Sequence, residues 1–74
     1  MTIEEKISHR IKELCREQGL SVRQLAERSG LSPSTVYRIL KADGTYRTNV
    51  HSVFRICSGL GISAGEFFTS ELLN

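Results

Sequence analysis

Few side chains in this sequence could do covalent or metal chemistry, and their spacing argues against it. His9 and His51 lie far apart in the sequence, and no metal-ligand motif surrounds either, so no metal site is expected. Cys15 and Cys57 are the only cysteines, and both fall inside apolar periodic stretches, which suits small buried hydrophobes rather than a bridged or reactive pair. No motif sets a nucleophile beside a base, and short helices leave little room for a deep pocket. Neither an enzyme nor a cofactor is therefore expected. The remaining polar equipment is of another kind. Ser34, Tyr37 and Arg38, with Lys41 just beyond, share helical spacing, and Arg23, Thr45, Tyr46, Arg47 and Asn49 lie on either side in the sequence. Guanidinium forks, hydroxyls and an amide recognise other polar groups; they do not transform them.

The elements that must hold these groups are helices, because apolar residues recur at helical spacing almost throughout. Ile3, Ile7, Ile11 and Leu14 stripe a first helix, opened by a Thr2–Glu5 capping box and closed by Gly19. Ser21 with Gln24 opens a short second helix that carries Leu25 and Ala26 and stops at Gly30. Ser32 then Pro33 starts a third, with Leu31, Val36, Ile39 and Leu40 inward and Ser34, Tyr37, Arg38 and Lys41 outward. Residues 42–48 have no periodicity and contain Asp43-Gly44, a loop signal. Asn49 caps a fourth helix whose apolar positions are Val50, Val53, Phe54, Ile56, Cys57 and Leu60, with Gly59 and Gly61 weakening its end. Ser63 with Glu66 opens a fifth, carrying Phe67 and Phe68. The expected class is all-α, five helices in one domain spanning residues 1–74, with no strand and no repeat.

A chain of 74 residues builds one small core, with an expected stability of about 4–11 kcal/mol. The formal net charge is only +2, but it is unevenly placed. Residues 1–18 balance. Residues 19–58 carry Arg23, Arg28, Arg38, Lys41, Arg47 and Arg55 against Glu27 and Asp43, and the last stretch holds only Glu66 and Glu71. A basic middle and an acidic end give one face suited to phosphate and another that is not. The cysteine count fits a reducing interior, no apolar run approaches the roughly 20 residues that span a bilayer, and Glu4 and Glu5 do not suit a signal peptide. A cytoplasmic, nucleoid-associated protein without membrane contact is expected.

The sharpest local pattern lies across the second and third helices. Two helices crossing steeply need a small residue where they approach, which Ala26 supplies. The chain must then reverse within a few residues, and Gly30, four positions on, accepts a positive φ without a Cβ penalty. Val36 and Ile39 complete the inner face. With these residues, the run from Leu20 to Ile39 resembles the phage repressor and Cro-like (xenobiotic-response-element) family of helix-turn-helix regulators. The run Ile56-Cys57-Ser58-Gly59-Leu60-Gly61-Ile62-Ser63, ending Glu66-Phe67-Phe68, is similar to that family's fourth and fifth helices. The resemblance covers about residues 4–69. It implies a lambda-repressor-like fold and regulation of transcription on double-stranded DNA, usually as a homodimer on a partly palindromic operator. Departures are Ser29, where such motifs often have an apolar residue, Val22 in place of a phosphate-touching Gln, Thr48 in place of Pro, and a loop about two or three residues longer than usual.

On this reading the third helix enters the major groove, and Ser34, Tyr37 and Arg38 face base edges, with Arg38 matched to guanine O6 and N7. Arg23, Lys41, Thr45, Tyr46, Arg47 and Asn49 are the phosphate candidates, though Lys41 could instead serve the helix dipole. Arg28 and Arg55 read as surface charges. Phe68, Leu72 and Leu73 are expected at a dimer interface. The runner-up is a helical protein-interaction module, antitoxin-like or an adaptor, that keeps the fold and binds little DNA; an apolar outer face on the third helix would have favoured it.

Overall fold

In the computed structural model, residues 1–69 are described. Five helices follow in chain order: α1 (Ile3–Gln18), α2 (Val22–Ser29), α3 (Pro33–Lys41), α4 (Val50–Leu60) and α5 (Ala64–Phe68). Local chemistry explains most of their ends. Thr2, Ser21 and Ser63 each accept from the amide three residues on, and Glu5, Gln24 and Glu66 return the bond to the cap amide. Gly30 closes α2 at φ 67°, the left-handed turn expected of it. The α3 terminus is less comfortable. Ala42 takes φ 48° there, the one non-glycine residue among those described with a positive φ.

The core is built from Ile7, Ile11, Leu14, Leu25, Ala26, Val36, Ile39, Val53, Ile56, Cys57, Leu60 and Phe67. The α2 helix packs against α4 and α3, α1 against α3, and α4 against α5. Polar ties from α1 finish three of the other helices. Ser8 Oγ donates to Leu40 O (2.6 Å), Gln18 Nε2 to Leu60 O (2.7 Å), and Arg10 Nε and Nη2 to Phe67 O and Glu66 O (2.9 Å each). The Leu40, Leu60 and Phe67 carbonyls lie at helix ends, where their own helices supply no amide, while Glu66 O also accepts from Thr69 N at 3.4 Å.

Three stripe residues are not buried where the periodicity put them. Ile3 is 55% exposed, Val50 71% and Phe54 56%. The α4 surface covered by α2 and α5 takes Val53, Ile56, Cys57 and Leu60, leaving Val50 and Phe54 on the adjoining face. Gly59 also needs correction. It is buried inside α4, and an added Cβ would stand 2.4 Å from Ser29 Oγ and 3.0 Å from Ser29 N. Its missing side chain is what lets α4 approach α2. Ser29, the small residue opposite, is buried, and its Oγ has no hydrogen-bond partner. Among the described residues no helix is long and apolar enough to cross a membrane.

Candidate nucleic-acid interface

The α3 helix is held from both ends and from beneath. Ser32 caps it, accepting from Thr35 N at 3.2 Å, and Pro33 occupies the first turn, where its missing amide goes unnoticed. Val36 and Ile39 are buried, Leu40 is partly so, and Ser8 holds the last turn through Leu40 O. This fixes the rotation of the helix, so its other side must face outward. Ser34, Tyr37, Arg38 and Lys41 are all exposed, as expected, and Tyr37 reaches 62% despite its aromatic ring. Ser34 Oγ shares a 3.2 Å hydrogen bond with Ser32 Oγ. Among the described residues Arg38 forms no ion pair.

Two further segments flank this face in sequence. Arg23, in the first turn of α2, is exposed, while neighbouring Val22 packs partly against the core. Beyond α3 the loop turns back through Ala42 and Gly44, both at positive φ. Tyr46 is partly buried against the core and Arg47 is exposed; with Gly44 they border a groove whose far side is Ile3 and Glu4. Asn49 Oδ1 is occupied as the α4 cap, accepting from Ser52 N at 2.7 Å, which leaves its amide nitrogen outside the cap bond.

A group not singled out from the sequence sits among these. Asp43 Oδ1 accepts from both the backbone amide (3.0 Å) and the hydroxyl of Thr45, and Oδ2 lies 3.3 Å from Lys41 Nζ. These Thr45 bonds, with Lys41 adding to them, pull the Asp43 carboxyl down to about 2. The signal was present in the spacing Lys41-x-Asp43-x-Thr45, since Asp commonly bonds the backbone two residues on. Elsewhere, burial raises both the Cys15 and Cys57 thiols, which disfavours thiolate.

A pair of short helices joined at Gly30, the second turned outward with a polar face, lies within the match of a family model described as helix-turn-helix, which spans residues 11–67. The chain belongs to the helix-turn-helix family. That family is DNA-binding and non-enzymatic, and this member is an all-helical DNA-binding regulator. No curated protein and no solved structure matched the chain. The helix-turn-helix match includes every expected contact residue from Arg23 to Asn49 and reaches Phe67 at the close of the core. Of the expected interface residues, Phe68 is 42% exposed and meets Phe67 edge-on with ring centroids 5.0 Å apart. Leu72 and Leu73 lie outside the described residues.

Proposed function

We propose that this chain is a sequence-specific transcription regulator of the phage repressor and Cro-like kind, acting in the cytoplasm at the nucleoid as one domain. The α3 helix lies in the major groove, where Arg38 pairs with guanine and Ser34 and Tyr37 take neighbouring base edges. Arg23, Thr45, Tyr46, Arg47, Asn49 and Lys41 hold the phosphates on either side. One observation carries the reading. The outward face of α3 is polar and basic, and its rotation is set by buried Val36 and Ile39.

One such helix reads only a few base pairs, too few for a genomic address, so the protein works as a homodimer on two inverted half-sites. Phe68 lines an open apolar cleft with Ile3, Val50 and Phe54, and the cleft reaches Asn49 and Thr48 beside the phosphate candidates. Together the four side chains expose on the order of 450 Å², within the range at which a monomer's largest patch ordinarily marks a contact surface. Leu72 and Leu73, outside the described residues, belong to the same proposed interface.

The same cleft favours the second reading, a protein-interaction module, because a partner of another kind could also cover it. Titration of labelled duplex at two salt concentrations separates the two. A regulator binds and weakens steeply as salt rises. Absence of binding at low salt would leave the interaction module standing.

A further inference from the structure

Thr45 and Lys41 both belong to the phosphate-facing set, yet one carboxylate holds both. Asp43 takes the Thr45 amide and hydroxyl on one oxygen and the Lys41 ammonium on the other. Asp43 is exposed, as are Lys41 and Thr45, so this pairing is in water and on the rim that would meet the duplex. A phosphate approaching Lys41 would find the ammonium already matched to an anion. Taking it would leave Asp43 as an uncompensated negative charge beside the DNA backbone.

We propose that Asp43 sets the strength of backbone binding: paired with Lys41 and Thr45, it competes with phosphate for both and lowers binding to every sequence alike. This rests on the DNA-binding reading above. The physical reason is that phosphates are the same at every site. A cation withdrawn from them weakens all complexes equally in charge terms, whereas Arg38 on α3 is rewarded only where guanine is present. Asp43 acts here through Lys41 and Thr45 and touches no base.

Asp43→Asn separates the charge from the shape, because its amide oxygen can still accept from Thr45. On a labelled mixed-sequence duplex titrated between about 50 and 200 mM salt, the variant is expected to steepen the salt slope by about 0.9, one phosphate's worth. It should bind about threefold more tightly at the low-salt end. Lys41→Ala should lower the wild-type slope by less than one phosphate's worth, because Asp43 competes for the ammonium, and should abolish the gain when added to Asp43→Asn. Preference for a duplex recovered by selection over the mixed sequence should stay as in wild type in Asp43→Asn, because both complexes gain the same phosphate contact. An unchanged slope in that variant, or loss of a full unit from Lys41→Ala alone, would overturn the proposal while DNA binding itself stands. Wild-type protein that binds no duplex at low salt removes both. Thermal melting checks that Asp43→Asn is folded, and Lys41→Ala, which leaves the Thr45 bonds in place, tests the same pairing independently.

Discussion

Gly59→Ala sets two opposing effects against each other at the α2–α4 crossing. Replacing a glycine inside a helix by alanine ordinarily stabilises by about 0.5–1 kcal/mol, because the unfolded chain loses freedom. Here the new Cβ would stand 2.4 Å from Ser29 Oγ, 3.0 Å from Ser29 N and 3.1 Å from Arg28 C. The hydroxyl must move by about 1 Å and two backbone atoms by a few tenths, so α2 itself has to shift. Such overpacking costs about 1–3 kcal/mol. The net expectation is a loss of about 1–2 kcal/mol, a Tm drop of roughly 5–15 °C for a domain this size. Ser29→Ala, which removes the shortest of these contacts and a buried hydroxyl without a partner, should by itself stabilise by about 1 kcal/mol. In that background Gly59→Ala should cost half as much or less. Urea and thermal unfolding followed by circular dichroism measure all four corners of the cycle. A Tm for Gly59→Ala at or above wild type would refute the close approach of the two helices.

Other outcomes are equally direct. Arg38→Ala should relax preference at one or two base pairs in a binding-site selection and leave the melting temperature unchanged; an unaltered consensus would place Arg38 on phosphate. Arg47→Ala should weaken binding to all sequences and lower the salt slope by about one unit, with a base-specific loss counting against its role. Both cysteines should resist a small thiol reagent in native protein at neutral pH, since burial raises both thiols, and Cys57, being fully buried, should be the slower of the two. Val50→Ser with Phe54→Ser should abolish cooperative binding to a palindromic duplex with little effect on Tm, because both side chains are mostly exposed. A large loss of stability would mean they pack within their own chain.

Helix ends were legible because capping is decided within four residues. Thr2 with Glu5, Ser21 with Gln24 and Ser63 with Glu66 each close their bonds locally, and Gly30 turns where only a residue without Cβ turns freely. The outward face of α3 was legible too, since a helical stripe that buries Val36 and Ile39 leaves Tyr37 and Arg38 on the other side whatever the partner helix is. The edges of the stripes were not. Periodicity says that Val50, Val53, Phe54 and Cys57 share one broad apolar face, but how much of it is covered depends on where α2 and α5 lie. The same holds for Ile3. Gly59 read as a weak point in α4 because its reason is Ser29, thirty positions earlier, and only the crossing brings them together. The ties from Ser8, Arg10 and Gln18 to the carbonyl ends of α3, α5 and α4 are long-range in the same sense. Chain-local hydrogen bonds and spacing determined which segments are helices and which side of α3 is polar. Tertiary packing decided which apolar residues are covered, because coverage belongs to pairs of surfaces and no single helix carries it in its own sequence.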